Sequence, residues 1–599
     1  MKIEADVRTI QKLKDYFFVV PDYQREYVWK ADDHVEQFLN DIEQEYEPGA
    51  KQQNSYFIGS IILVGDGSYD VIDGQQRLTT IMLTLCAFRD RLKSKEQRSK
   101  REAEHLKKLE ELLYEYDLAA DKSRYRLELQ YADSHDYFKH RIDGTEYAGD
   151  RTQSIKRMDA AYSTILEHHN RLDDDQLIDS LNYFLTNVEL VVIESEDLGS
   201  ALKIFETINQ RGAGLNAMDL VKNLIFRKAP EVDFAKVKDI WRELMLALES
   251  CGEKDPLRFL RYFLMARYAD EIIREDGIYK WIISEKGKKS LGYEKDPVGF
   301  AKAMLNASKR YSQWVRATES KDDSGKLAAI ARIGLVNKVK SRQHLLLLMA
   351  LDESFKESDV ENLAAQVESF LFLSIVIGTQ SKYHERTFLD WAQKIRVIKN
   401  RKGLEAFVKD HILDTAKKEG KNFVEHFLRL RIWDLSPWYR TNYVLGRLDG
   451  TLCKEAQQAE QSNKHYRQFE VEHILPQSPK GKLPSEFADE DDYQTAVGML
   501  GNALLIEGTI NKALNKVNDS STDWYARKCA EYIKSGIWST KLMAPGFSIG
   551  KATAVNRARD HYGFPFQEWN KEAIEEHQKV MLELALDTWT IGGERIDSR

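Results

Sequence analysis

Apolar residues recur along this chain with two periods, and the switch between them outlines its organisation. Runs of β-branched and aromatic residues at 17–20 and 56–64, closed by Pro21-Asp22 and by Gly65-Asp66-Gly67-Ser68, predict short strands, and Leu190 to Glu194 predicts another. From Asp32 to Tyr46 the spacing of Val35, Phe38, Leu39 and Ile42 predicts a helix starting near an Asp cap. Leu78 to Phe88 is apolar on nearly every side, as in a helix buried behind a sheet. The charged stretch 93–108 turns amphipathic through Leu106, Leu109, Leu112, Leu113 and Tyr116; with Glu interspersed among Lys and Arg it reads as a solvated helix rather than a DNA-binding arm. A helix is predicted over 200–209. From Val232 to Glu419 almost every segment has the helical period, for example Val237 to Leu248, Leu257 to Ala266 and Val360 to Ile377. The polar stretch 416–421 precedes a new periodic helix. The expected class is therefore α+β, predominantly helical, divided as 1–230, a helical middle region 231–415, and 416–599.

Bulk properties narrow this little. A chain of 599 residues exceeds one hydrophobic core, and roughly 150 residues per domain predicts about three or four units. With 42% hydrophobic and 31% charged residues and a mean hydropathy of -0.52, disorder is not expected. No apolar run approaches the roughly 20 residues that span a bilayer, and the opening Met1-Lys2-Ile3-Glu4-Ala5-Asp6 lacks a signal-peptide layout, so a cytoplasmic protein without a membrane partner is expected. Cys86, Cys251, Cys453 and Cys529 form no CxxC pair, which argues for reduced, packed thiols. The net charge of -8 leaves any DNA contact to local basic patches.

Two polar stretches carry candidate chemistry. In Asp73-Gly74-Gln75-Gln76-Arg77, Gly74 permits a tight turn, and the free amides of the following helix start favour an anion. Arg77 can clamp phosphate oxygens, Gln75 and Gln76 can read a base, sugar or water, and Asp73 can hold a metal-bound water or orient Arg77. Two further Arg-bearing sets are Asp22-Tyr23-Gln24-Arg25-Glu26-Tyr27-Val28-Trp29, and Asn209-Gln210-Arg211-Gly212 with Asp219 and Lys222. The ordered succession Pro21-x-Tyr23-Gln24-Arg25-x-Tyr27-x-Trp29, Phe57-Ile58-Gly59-Ser60-Ile61, the DGQQR turn, and Phe205 through Asn209, Arg211-Gly212, Leu215 and Asp219-Leu220-x-Lys222-Asn223 resembles the DGQQR domain of modification-dependent restriction proteins. That resemblance covers 1–230. It implies a ParB/sulfiredoxin-like fold tied to sensing modified DNA, and a site that binds and hydrolyses a nucleoside triphosphate (GTP, ATP or CTP). Gln24, Arg25, Asp73, Gly74, Gln75, Gln76, Arg77, Asn209 and Arg211 would form that site.

Near the other end, Glu470-Val471-Glu472-His473-Ile474 alternates like a hairpin strand. A neutral imidazole beside a scissile phosphate can take a proton from water, and a carboxylate suits Mg2+ or Mn2+. Asn502 follows Gly501 in a turn it can fasten, and Asn511 opens a helical stretch where it can supply a ligand or hold a metal-bound water. His473-Ile474-Leu475-Pro476-Gln477-Ser478, Leu500-Gly501-Asn502-Ala503-Leu504-Leu505, Asn511-x-x-Leu514-Asn515, and Lys528 with Tyr532 and Ser535 resemble the HNH nuclease domain of GmrSD-type proteins. The resemblance implies a ββα-metal fold embedded in helices, with His473 as general base, Asn502 steadying the loop, Glu472 and Asn511 at the metal and Lys528 on the phosphate. Asn511 stands where many such sites have His, and no zinc cysteines support the hairpin. The whole then reads as a type IV restriction endonuclease acting on modified phage DNA under nucleotide control, with a homodimer plausible because one site cuts one strand. A nucleotide-hydrolysing DNA-binding regulator and an abortive-infection nickase indifferent to modification remain as alternatives.

Overall fold

The strands of the N-terminal part are β1 (Ile3–Thr9), β2 (Phe18–Val20), β3 (Tyr56–Gly65), β4 (Tyr69–Asp73), β5 (Tyr114–Asp117), β6 (Lys122–Tyr125), β7 (Leu127–Leu129) and β8 (Val188–Ser195). Six of them make one mixed sheet in the order β1-β8-β3-β4-β2-β7, while β5 and β6 pair separately. β3 is parallel to β8 and antiparallel to β4; β2 is parallel to both β4 and β7. The computed structural model describes residues 3–21, 24, 26–50, 52–118, 121–130, 134–197, 200–201, 204, 217–253, 256–337, 342–478, 483–517 and 521–597. Its contacts divide it into two compact units, Met1–Arg242 with Tyr293–Ala301, and Glu243–Gly292 with Lys302–Arg599. With 62% of residues helical, the predominantly helical α+β class is observed.

The core of the first unit forms around the helix Gln75–Lys93, whose Leu78, Ile81, Met82, Leu83 and Leu85 are fully buried with Ile61 and Leu63 of β3. Its buried Thr79, Thr80 and Thr84 donate their hydroxyls to the carbonyls one turn back, at 2.8, 2.9 and 2.8 Å, so no buried hydroxyl is left unsatisfied along that face. The expected strands at 17–20, 56–64 and 190–194 are present. Tyr116 departs from expectation: the amphipathic helix ends at Leu113, and Tyr116 lies on β5, half exposed. Strand β1 was not legible as a strand because most of it is exposed at a sheet edge, where little apolar alternation is required. The helix expected over 200–209 falls largely outside the described residues.

The second unit is mostly helical among the described residues and carries the antiparallel pair β9 (Glu470–His473) and β10 (Ala503–Ile506). Its core holds a buried ionic cluster: Glu368 accepts from Arg332 Nε at 2.7 Å and from the Tyr443 hydroxyl, with Arg447 Nε 3.5 Å away. Phe372 stacks on Trp589 at 3.5 Å, so segments on both sides of residue 416 share this core. β10 is wholly buried and feeds the helix Gly508–Leu514, giving a strand-strand-helix motif. All four cysteines are free and buried. Among the described residues no helix is long and apolar enough to cross a membrane.

Candidate functional site

In the first unit the candidate turn joins β4 to the helix Gln75–Lys93. Gly74 is the N-cap at φ +87°, in the left-handed region that favours glycine. A Cβ there would stand 2.5 Å from Ile61 Cγ2 and 3.0 Å from the Ser60 carbonyl oxygen. Gln76 is buried, and its amide faces the chain rather than a solvent-filled site: Val28 N donates to its Oε1 at 2.7 Å, and its Nε2 donates to the Glu26 carbonyl at 3.0 Å. Gln76 thereby tethers the segment 26–28 to the helix start. Arg77 Nη1 donates to the Ser60 carbonyl at 2.7 Å, and its guanidinium lies against Gly59, where a Cβ would come within 2.8 Å of it. Burial lowers the Arg77 pKa, and Asp73 acts the other way by favouring the cation. Gln24 Nε2 reaches the Ile72 carbonyl at 3.3 Å. Gln75 is buried at the start of the helix.

Two residues outside the candidate sets of the sequence reading join this corner, Tyr56 and Asp41. The Tyr56 hydroxyl is pushed up by burial, by Asp41 of the helix Glu36–Glu45 and by Glu45, and pulled down by Arg77, so Tyr56 feels both the acidic helix and the guanidinium. Asp41 follows helical spacing on a polar face, and no local signal marked it. Asp22, Tyr23, Arg25, Phe205, Asn209, Arg211, Gly212 and Leu215 lie outside the described residues. Lys222 is buried in the helix Ala217–Lys228.

In the second unit the hairpin carries the other candidate set. Asn502 is fully buried and satisfied: its Oδ1 accepts from Leu475 N at 2.7 Å and Trp569 Nε1 at 3.2 Å, and its Nδ2 donates to the carbonyls of Leu475 and Val497 at 3.0 and 3.1 Å. It pins the chain leaving β9 to the turn entering β10. Gly501 beside it donates its N–H to Gln578 Oε1 and accepts from His577 Nδ1 at 2.6 Å. A Cβ on Gly501 would meet the Ile574 carbonyl at 2.6 Å, so only glycine fits under the helix Lys571–Thr588.

Lys528, on the helix Trp524–Tyr532, sits otherwise than expected. Its ammonium donates to Glu472 Oε1 at 2.6 Å, to the Ile474 carbonyl at 3.0 Å and to the His473 carbonyl at 3.3 Å, and both charged side chains are buried. An ammonium has three donors, and these three acceptors engage them. The Glu472 carboxylate thus faces the Lys528 ammonium inside the protein. The carboxylate that reaches Asn511 is Glu470, which accepts from Asn511 Nδ2 at 2.7 Å, while Asn511 Oδ1 is buried without a hydrogen-bond partner. Glu470 and Glu472 share the strand's alternation; packing under the hairpin makes one a buried ion pair and leaves the other exposed.

His473 is half buried at the end of β9, with Gln477 Nε2 3.4 Å from its Nε2. Burial and then the Lys528 charge lower its pKa, which favours the neutral imidazole. Glu507, also missed, anchors the helix that bears Asn511: its carboxylate accepts from Ser535 Oγ at 2.8 Å and Gly536 N at 2.6 Å, and its carbonyl accepts from Asn511 N at 2.9 Å. Ser535 within the matched motif was the available signal. Among the described residues no group of three or more His, Cys, Asp and Glu is arranged to hold a metal.

Comparison with known families gave two matches. The model described as the GmrSD restriction endonuclease N-terminal domain matches residues 7–226, and that described as the C-terminal domain of GmrSD restriction endonucleases matches residues 417–584. Comparison with curated proteins gave no match.

Proposed function

Because the chain belongs to the GmrSD restriction endonucleases, which serve type IV restriction in phage defence, we propose that it cuts modified DNA at the β9–β10 hairpin under the control of a nucleoside triphosphate. The observation that carries the nuclease reading is the pinned hairpin end, where Lys528 and Asn502 fix the backbone of His473, Ile474 and Leu475. A neutral His473 imidazole held there is suited to take a proton from an attacking water.

A divalent metal fits the donor set in a limited way. Asn511 Oδ1 and the Glu470 carboxylate offer hard oxygens, and Mg2+ keeps several waters and uses few protein ligands. When bound, such an ion supplies Lewis-acid polarisation of a phosphoryl oxygen. Glu470 and Asn511 would hold it, Glu507 keeps Asn511 in place, and Asn502 and Lys528 keep His473 in register. In the first unit, the helix start at Gln75 with Arg77 and Gly74 is the proposed triphosphate site, where the positive end of the helix and a guanidinium favour an anion.

The deciding experiment incubates the protein and its His473→Ala variant with modified phage DNA and matched unmodified DNA, with Mg2+ or Mn2+, with and without nucleoside triphosphates. The expected result is nucleotide-dependent cleavage of modified DNA only, falling at least about 100-fold in the variant. Equal cutting of both DNAs would favour a nickase that does not read modification. Nucleotide hydrolysis without any cutting would favour a regulator.

A further inference from the structure

A cavity of about 680 Å³ opens beside the hairpin, between the approach to β9 and the start of the helix Gly508–Leu514. Pockets that hold small organic ligands span about 300–1,000 Å³, so one nucleotide fits this space. Its walls adjoin the proposed reaction centre through the backbone. Phe469 precedes Glu470, Lys512 follows Asn511, and a Cβ on Gly508 would stand 2.7 Å from the Glu470 carboxylate. Phe469 and Trp538 supply aromatic wall, and Thr509 and Lys512 lie exposed at its rim.

The polar wall is acidic. Glu507 lines the cavity half buried, and each of its oxygens accepts one hydrogen bond, from Ser535 Oγ and Gly536 N. An ionised carboxylate has about four acceptor positions, so Glu507 can still take a hydrogen bond on each oxygen. Asp449 stands behind the same wall, buried, with its oxygens engaged by Ser539 N at 2.6 Å and the Tyr466 hydroxyl at 2.9 Å. Carboxylates repel phosphate and accept from the amino edge of cytosine, adenine or guanine. Aromatic wall, acceptor and rim lysine together match a base turned out of its stack with its phosphate at the mouth.

We infer that this cavity holds an amino-bearing nucleobase, cytosine, adenine or guanine, of the strand being cut, next to the scissile phosphate. The inference rests on the nuclease reading of the hairpin. The Glu507 carboxylate reads the amino group, Trp538 packs on the base, and Lys512 meets the flanking phosphate.

The test sequences the ends produced by the full-length protein and then compares kcat/KM on matched substrates. These carry cytosine, or uracil, which has oxygen in place of the amino group, at the position beside the cut. The expected result is a bias against thymine at that position and a loss of about five-fold or more with uracil. Glu507→Gln should narrow that discrimination. Thr509→Arg, which fills the mouth from an exposed position and leaves the Glu507–Ser535 contact in place, should raise KM on the cytosine substrate with an unchanged melting temperature. Ends without base bias, or discrimination that persists unchanged in both variants, would overturn the inference while leaving the nuclease reading intact. If the wild type cuts no DNA, both fall together, and His473→Ala as the paired control separates genuine cutting from contamination.

Discussion

Lys528 shows how much one side chain does at the hairpin. Its ammonium is buried against Glu472 and two carbonyls, so removing it leaves a carboxylate uncompensated in the interior. Breaking a buried pair from one side costs about 3–5 kcal/mol, whereas replacing both partners by apolar groups is often close to neutral. Lys528→Met is therefore expected to lower the denaturant midpoint strongly, and the double variant Glu472→Leu with Lys528→Met to recover much of the loss; strictly additive effects would contradict the ion-pair account. His577 offers a pH test. Complete burial holds its imidazole down at about 4, partly offset by its bond to the Gly501 carbonyl. The unfolded chain, with a His pKa of about 6.5, binds the proton first, so this group's stabilisation is full above that value and is lost as pH falls toward about 4. The loss attributable to His577 reaches about 3 kcal/mol. His169, His344 and His384 are also buried and depressed and add to the same acid limb. The readout is thus the difference between wild type and His577→Gln at pH 7.5 and pH 5: the variant should lose less stability on acidification, and an identical loss would refute the assignment.

At the scale of elements, the corner between β4 and the helix at Gln75 is fixed by backbone geometry. Gly74 at φ +87° with Ile61 and the Ser60 carbonyl within 3.0 Å leaves no room for a side chain. Gly74→Ala is expected to cost about 1–3 kcal/mol in strain and to weaken nucleotide binding, because the helix start and Arg77 move together. Calorimetric titration with each nucleoside triphosphate checks this, and unchanged affinity would separate the turn from the nucleotide site. The motif itself was legible, since strand, glycine and helix are successive in sequence. The tether from Gln76 to Val28 N and the Glu26 carbonyl was not, because its partners are 48 and 50 residues away and offer only backbone atoms.

For the whole molecule, two compact units with separate cores are expected to unfold in more than one step. Gly74→Ala should shift one transition and Lys528→Met the other. A single transition displaced by both would show that the chain melts as one cooperative body. The formal charge of -8 bears on substrate as well as stability: binding to DNA should depend steeply on salt, because it rests on local cationic groups against an unfavourable mean field.

The sequence by itself determined the helical majority, the strands expected at 17–20, 56–64 and 190–194, and the two motif-bearing stretches, because periodicity and turn chemistry are properties of neighbouring residues. It also determined membership of the family, through ordered motifs. Tertiary structure alone decided that Glu472 is an inner ion-pair partner while Glu470 meets Asn511, that Lys528 clamps a backbone, and that His577 and Gln578 hold Gly501. Each of these pairs residues 41 to 77 positions apart. Two carboxylates on the same side of one strand are chemically identical in sequence. Only the packing of a distant helix beneath the hairpin, with the desolvation it imposes, gives them different partners.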